Sequence, residues 1–422
     1  MRHRIARYAL AFALALVLSR PPHLAPAIEP QQAGRLERVG GVWLAHVQGD
    51  PYQMGLQQGA LWRTELRGLV QGYLYDQLIA GSGVLHFRLL SQARLLDQSI
   101  PEHLRREMEG IADGAGLSYQ DVLLLNVVPD LLALMRKLPS WDLFPALFSA
   151  ASQGTAPARS SLCAAFAGWG HATVEGELLV GHNLDCAESD LLLYHRALIV
   201  RQPSTGNASV SLGLMGTVGV WAGMNEEKVV VAVSGSPSAD VAVSGQPLPF
   251  LLRQVLQSSG NLNQAVNFLL STERLYGGNV ILGDGKTPQG VVLELSAHRH
   301  SLFEADIGGD LLLRTNHFLD TELASAQRAL LAPEEMAASE TRLERMQSVL
   351  EPNRGWIGTD KALALLGQMD RVPTGGAQEV GILQTVLLSP ATFSLWVAER
   401  NTSDPAVSYV RLDLAAELLG SR

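Results

Sequence analysis

The feature that most constrains the fold is a series of short apolar runs between residues 176 and 297. These runs are separated by Gly, Asn and Asp and include GELLVGHNLD, HRALIVRQ, ASVSLGLMGTVGVWAGMN, KVVVAVSGS, GNVILGDG and GVVLELSA. Short apolar runs bounded by turn-forming residues predict β-strands, and the GDG at Gly283–Gly285 predicts a hairpin turn. The runs ILQTVLLSP and TFSLWVAE predict the last strands of the chain. The second half of the sequence is therefore predicted to be rich in β-sheet.

Helical spacing of apolar residues dominates the first third of the chain. It is found over Pro51–Asp76, where Gly55 and Gly59 lie one turn apart and would admit a closely packed neighbour. A second helix is predicted over Ile100–Ala112, and a third follows Ser118, a residue that favours helix starts. The connector Leu138–Ser161, which is rich in Pro, Gly, Ser and Ala, separates this helical region from the strands.

Three more helices are predicted among or after the strands. They are expected over Pro249–Leu256, Leu262–Leu270 and Glu334–Glu351. Helices mixed with many strands predict a layered α/β protein whose sheet is largely antiparallel.

The first residues predict an export signal. Three arginines precede the apolar run Tyr8–Leu18, and the small residues APA end at Ala27. The apolar run is short for an uncleaved anchor, and later runs are too short to span a bilayer. The sequence therefore predicts a signal peptide over residues 1–27, a periplasmic or secreted location, and no stable membrane insertion after signal removal.

Composition excludes one class of partner. The chain has 32 basic and 41 acidic residues, a formal net charge of −9 and no basic run, so a nucleic-acid partner is not expected. With 47% hydrophobic and 17% charged residues, a sizeable core is expected instead.

The two cysteines, Cys163 and Cys186, leave alternatives open. In an oxidising compartment they could form a disulfide, which would remove Cys163 as a nucleophile. A nucleophilic thiol needs a base and donors for the oxyanion. Candidate bases are His171, His182 and His317, and their spacing does not select among them.

A metal site is a weaker interpretation of the same region. His182, Asp185 and Cys186 could in principle be ligands, but neighbouring residues on a strand point in different directions. The sequence predicts no metal and no cofactor.

The stretch CAAFAGWGHATVEGELLVGHNLD resembles the start of the catalytic part in the acyl-coenzyme A:6-aminopenicillanate acyltransferase family. This family is related to penicillin V acylase and bile salt hydrolase. The matching positions are Cys163, Phe166, Trp169, Gly176 and Gly181–Asp185. The chain departs from the family pattern GRNxD at its second position, where it has His, and has Cys where an aromatic residue often follows the Asp.

Further segments resemble the same family, in the family's order, over nearly the whole chain after the signal. Upstream are GDPYQMGLQQGALW and EGIADGAGLSYQDVLLLN, and downstream are WAGMNEEKVVVAVSG, LRTNHFLD, SETRLERM and QTVLLSPATFSLWVA. Each motif is short, and their shared order is what carries the resemblance.

The resemblance implies a four-layer αββα sandwich of the N-terminal nucleophile (Ntn) hydrolase type, with largely antiparallel sheets. In such proteins the precursor cuts itself before the nucleophile, here between Leu162 and Cys163. Residues 28–162 would then form an N-terminal helical chain that stays associated, and residues 163–422 would form the catalytic part. The new α-amine of Cys163 titrates near 7.7–8.0 when unperturbed and would act as the general base.

The resemblance also implies roles for other residues. Asn316, in TNH, would donate to the oxyanion, and Ser234 and Gly235 would offer backbone groups. Asp185 would hold the Cys163 amine, and Arg342 would pair with a carboxylate, for which Asp185 is the candidate.

The expected substrate is a small molecule with a linear amide, cleaved through an acyl-enzyme on Cys163. Hydrolysis is favoured over acyl transfer, because coenzyme A thioesters are cytosolic. Two alternatives remain. One is a lipid or ester acyl hydrolase resembling phospholipase-B-like proteins, and the other is a secreted binding protein with an uncut, disulfide-locked Cys163. A homo-oligomer is compatible with the amide hydrolase and with both alternatives.

Overall fold

The computed structural model describes residues 34–39, 41–135, 163–185, 190–305, 309–369, 382–399 and 408–420. The predicted signal peptide, the predicted connector, Leu162 and Cys186 lie outside the described residues. Each helix in the described ranges is too short or too polar to cross a lipid bilayer.

The strands of the described residues are β1 (Arg35–Val39), β2 (Val42–Gly49), β3 (Ala164–Gly168), β4 (Leu179–Asp185), β5 (Arg196–Pro203), β6 (Ser209–Leu214), β7 (Ala222–Asn225), β8 (Val229–Gly235), β9 (Gly278–Asp284), β10 (Gln289–Leu295), β11 (His300–Glu304), β12 (Leu311–Arg314), β13 (Ile382–Ser389), β14 (Ser394–Ala398) and β15 (Tyr409–Asp413). The strands predicted from apolar runs are confirmed as β4 to β10, β13 and β14. The expectation that β13 and β14 end the strand series is wrong, because β15 pairs with β14.

The α-helices are α1 (Pro51–Leu61), α2 (Arg63–Leu69), α3 (Gly83–Asp97), α4 (Glu102–Ala115), α5 (Tyr119–Met135), α6 (Asp190–Tyr194), α7 (Leu248–Ser258), α8 (Leu262–Ser271), α9 (Thr321–Arg328), α10 (Pro333–Leu350), α11 (Thr359–Met369) and α12 (Ala415–Leu419). A π-helical segment, Val70–Ile79, continues α2. The helices predicted from apolar spacing are confirmed, and Ser118 caps α5, since its Oγ accepts from the Asp121 N–H at 3.1 Å.

The strands form two sheets. The larger has the order β1-β2-β5-β6-β7-β8-β9-β10-β11, and the smaller has the order β12-β3-β4-β13-β14-β15. Neighbouring strands are antiparallel throughout, except that β2 is parallel to β5. Both sheets are therefore largely antiparallel, as predicted.

Side-chain alternation sets the layers. Val229 and Val231 of β8 pack with the helices α7 and α8, whereas Val230 and Ala232 face the smaller sheet. In β3, Phe166 packs with α10 and α11 on the opposite side of the molecule. Helices thus cover the outer face of each sheet, and the inner faces pack against each other. The predicted four-layer αββα arrangement is confirmed.

Helices α1 and α4 approach each other at their glycines. A Cβ added at Gly55 would lie 1.9 Å from Glu107 O, and one added at Gly110 would lie 2.2 Å from Tyr52 O. Only glycine permits this separation. The predicted close packing at Gly55 and Gly59 is confirmed.

The N-terminal region contains two strands that the sequence did not predict. Strand β2 pairs with β5 and so joins residues 42–49 to the larger sheet. The sequence of this strand, VWLAHVQG, has four apolar residues in a row before His46. It therefore lacks the regular alternation that would predict a strand.

A buried ion triad also ties this region to the rest of the molecule. Glu107 on α4 accepts from Arg201 Nε of β5 at 3.1 Å and from Arg253 Nη2 of α7 at 3.3 Å, and all three side chains are at most 1% exposed. Two buried cations therefore depend on one carboxylate.

Replacing Glu107 should destabilise the protein. Glu107→Gln leaves two guanidinium groups buried without a counter-charge, so the free energy of unfolding should fall by about 3–5 kcal/mol. Glu109→Gln is the control, because Glu109 pairs with Arg106 at the surface and such pairs contribute at most about 1 kcal/mol. Denaturant unfolding measures both, and equal effects would contradict this account of the triad.

Candidate active site

The ends of several strands meet at one edge of the sandwich. In the smaller sheet β3 begins and β12 ends at this edge, and in the larger sheet β8 ends where β9 begins, with Gly235 opposite Gly278. The two sheets are joined here by side chains, such as Asn316, whose Nδ2 donates to Gly235 O at 2.7 Å. Residues far apart in sequence are thereby brought together.

Cys163 lies at this edge, immediately before β3. Its side chain is 2% exposed and belongs to the apolar layer between the sheets, together with Ala165 and Ala167. The alternative of a disulfide with Cys186 concerns a residue outside the described ranges.

Asn316 lies at the same edge of the sandwich as Cys163. Arg314, the last residue of β12, pairs with Ala165 of β3. Asn316 follows β12 by two residues, and Cys163 directly precedes β3. The structure thus brings to one edge two residues that the family resemblance selected.

The Asn316 carboxamide has a fixed orientation. Its Oδ1 accepts from Arg342 Nη2 at 2.6 Å, and its Nδ2 donates to Gly235 O. An amide nitrogen carries two hydrogens, so this arrangement leaves one N–H for another acceptor. The side chain is 4% exposed, where a hydrogen bond to a developing negative charge is strong.

Arg342, which lies on α10, donates to the Asn316 side chain. It is 5% exposed, and its Nη1 also donates to Ala338 O at 3.3 Å. The resemblance implies a carboxylate partner for Arg342. Asp185 ends β4 and pairs with Ile382 through the backbone, but its side chain lies outside the described residues, so its predicted roles stay predictions.

The loop after β12 is held by side chains of several elements. The Asn316 N–H donates to Ser339 Oγ at 2.9 Å, and Gln327 Nε2 donates to Asn316 O at 2.8 Å. The Glu294 carboxylate accepts from the Leu319 N–H at 3.0 Å. Sequence reasoning missed these residues. A signal for one existed, since a charge in the apolar run GVVLELSA requires a buried partner, and Glu294 pairs with Arg314 at 3.0 Å.

The three candidate histidines occupy different places. His171 is exposed and lies beyond the other end of β3 from Cys163. His317 is buried, and its Nδ1 lies 2.9 Å from Ser339 Oγ. Burial, together with the charges of arginines including Arg314, lowers its pKa to about 4, which makes it a weak base.

His182 lies between the two sheets with no exposed surface. Its Nε2 is 2.9 Å from Val233 O, and since a carbonyl only accepts, this nitrogen carries the proton. Burial lowers the pKa of His182 to about 4. A neutral imidazole that links β4 to β8 fits a structural role better than that of a partner for a thiolate.

The folded state should lose stability in acid because of His182. Unfolded, the residue binds a proton near pH 6.5, and folded it does so only near pH 4. Stability should therefore fall as the pH falls from about 6.5 to 4, by up to about 1.4 kcal/mol per pH unit.

The variant His182→Gln isolates this slope, because the comparison with wild type cancels other titrating groups, such as Asp130, whose pKa burial raises to about 7. In urea unfolding at several pH values, the free energy of unfolding of His182→Gln should fall less in acid than that of the wild type. His171→Gln, on the exposed turn, should retain the wild-type slope. Parallel curves for wild type and His182→Gln would contradict the assignment.

This sequence matches one known protein family. The family is described as acyl-coenzyme A:6-aminopenicillanic acid acyl-transferase, and the match runs over residues 172–404, more than half of the chain. This chain belongs to that family. The resemblance stated from the motifs is therefore confirmed, and the matched residues include Asn316 and Arg342.

Individual relatives are distant. A curated protein of Archaeoglobus fulgidus is 27% identical over 337 residues, which cover 70% of this chain and 54% of that protein. The chain spans between 53% and 63% of the length of the curated relatives it matches.

Solved structures with similarity to this chain include a variant of a conjugated bile acid hydrolase and a penicillin V acylase. The conjugated bile acid hydrolase of Clostridium perfringens has a TM-score of 0.44 and 13% identity, covering 61% of this chain and 94% of that chain. Penicillin V acylase of Agrobacterium tumefaciens has a TM-score of 0.40 and 14% identity, covering 62% and 94%.

Proposed function

We propose that this chain is an exported, self-processing amide hydrolase with Cys163 as its N-terminal nucleophile. The observation that carries the proposal is the Asn316 carboxamide, which is buried at the same edge of the sandwich as Cys163 and oriented by Arg342 and Gly235. Membership of an acyltransferase family supports the same reaction class.

In the proposed reaction, the Cys163 thiolate attacks the carbonyl carbon of a linear amide. The S–C bond forms, and the negative charge on the carbonyl oxygen is stabilised by the remaining N–H of Asn316 Nδ2. The C–N bond then breaks, and the leaving amine takes the proton that the Cys163 α-amine removed from the thiol. Water hydrolyses the resulting thioester and releases the acid.

Self-processing accounts for the place of the thiol in the chain. A cut between Leu162 and Cys163 would create the α-amine that the reaction needs as a base. The lowered pKa values of His182 and His317 support a base other than histidine. Hydrolysis is proposed over acyl transfer because the predicted signal peptide directs the chain away from cytosolic thioesters.

The acyl-enzyme is the intermediate to capture. After acid quenching during turnover of a panel of small acyl amides, mass spectrometry should find the acyl group on the peptide that contains Cys163. Cys163→Ala should give neither adduct nor turnover. Turnover that persists in this variant would contradict the proposal.

Asn316→Ala should lower kcat by about 100- to 1000-fold, the usual effect of removing one oxyanion donor. The control is Asn207→Ala, at the opposite end of the larger sheet, where the Asn207 side chain donates to Ser259 O. This control should retain the wild-type kcat. An unchanged kcat in Asn316→Ala would exclude the donor role.

A further inference from the structure

We propose that Asn279 is a positioning residue, which holds the backbone on both sides of Asn316 from the opposite sheet. The inference rests on the proposed function, because it assigns Asn279 a role in placing the oxyanion donor. Asn279 lies in β9 and does not belong to the motifs that indicated the site.

The contacts of Asn279 are specific to the backbone around Asn316. Its Nδ2 donates to Thr315 O and to His317 O, each at 2.8 Å. These are the two carbonyls that flank Asn316, and the amide group has two hydrogens, one for each of them.

Asn279 reaches the loop across the layer between the sheets. Ile281, two residues further along β9, belongs to the apolar layer that faces the smaller sheet, whereas Val280 and Leu282 pack with α7 and α8. Asn279 therefore points the same way as Ile281. It is 1% exposed and sits opposite Ser234 in the ladder.

If residue 279 served only the stability of the fold, a carboxamide would be an unfavourable choice. Its Oδ1 is buried and has no hydrogen-bond partner among the described residues, and a buried polar atom without a partner is unfavourable by about 1–3 kcal/mol. An apolar residue would avoid that cost but could not bind the two carbonyls. Both hydrogen bonds of its side chain go to the carbonyls of the residues on either side of Asn316.

The loop needs such support because it has left the strand ladder. β12 ends at Arg314, so the backbone of Thr315–His317 is held by side chains rather than by a neighbouring strand. Arg342 and Gly235 set the orientation of the Asn316 amide, whereas Asn279 sets the position of the backbone that carries it. A displacement of about 1 Å at a catalytic group can lower the rate by about 100-fold.

The test variant is Asn279→Asp, which keeps the size of the side chain. An ionised carboxylate has no hydrogen to donate and would face two carbonyl oxygens. We expect kcat to fall by about 10- to 100-fold with KM within about twofold of wild type. Activity relative to wild type should recover as the pH falls, because a protonated Asp can donate to one of the carbonyls, and burial raises the pKa of such a carboxyl.

The matched control is Asn225→Asp. Asn225, in β7 at the opposite end of the same sheet, has no exposed surface, and its Nδ2 donates to Leu256 O and Ser259 O, each at 2.8 Å. It should lose stability as Asn279→Asp does but keep the wild-type kcat. If both variants lose only stability, or both lose kcat equally, the positioning role is excluded.

A second comparison tests whether Asn279 acts through Asn316. The double variant Asn279→Asp/Asn316→Ala should have the kcat of Asn316→Ala alone, since no donor is left to be positioned. If the two effects multiply instead, Asn279 does not act through Asn316 and the inference is overturned.

Hydrogen exchange decides the inference independently of activity. In Asn279→Asp the backbone amides of Asn316 and Phe318 should exchange faster than in wild type, and in Asn225→Asp they should not. If the wild-type protein hydrolyses no amide, the proposed function fails, and the exchange rates still show whether Asn279 holds this loop. Unchanged exchange in Asn279→Asp would overturn the inference.

Discussion

The face-to-face packing of two sheets is the constraint on which the rest of this structure depends. Alternating apolar side chains, such as Val230 and Ala232 in β8 and Ala165 in β3, leave each sheet with one face for helices and one face for the other sheet. Once the inner faces are packed, the start of β3 and the ends of β8 and β12 lie at one edge. The polar side chains there, above all Asn316, then complete the contact between the sheets.

The N-terminal region is joined to this two-sheet core. The parallel pairing of β2 with β5 and the ion triad of Glu107 join it to the larger sheet and to α7. If the chain is cut before Cys163, as proposed, these contacts would keep both parts together without a covalent link. The proposed cut would then change the chemistry of Cys163 and leave the core unchanged.

The sequence predicted elements whose signals are local and missed those whose signals are not. Apolar runs bounded by turn residues identified β4 to β10, and helical spacing identified α1, α7 and α10. Strands β1, β2, β3, β11, β12 and β15 were missed, because each is short or irregular in its apolar pattern. The parallel pairing of β2 with β5 in particular could not be inferred from either segment alone.

The site divides in the same way. Motif resemblance selected Cys163, Asn316 and Arg342, and the structure brings Asn316 and Arg342 within 2.6 Å of each other. Motif resemblance could not identify Gln327, Ser339 or Asn279. A single buried polar residue has no periodicity, and its partner is visible only after folding. Such residues support the catalytic groups without being part of their motifs.

The central claim is that Cys163 becomes the first residue of a chain. Denaturing mass spectrometry of the purified wild-type protein beside Cys163→Ala tests it most directly. The account predicts two fragments that meet at Leu162 and Cys163 in the wild type and one uncut chain in the variant. One uncut chain in both would contradict self-processing and remove the α-amine on which the proposed mechanism depends.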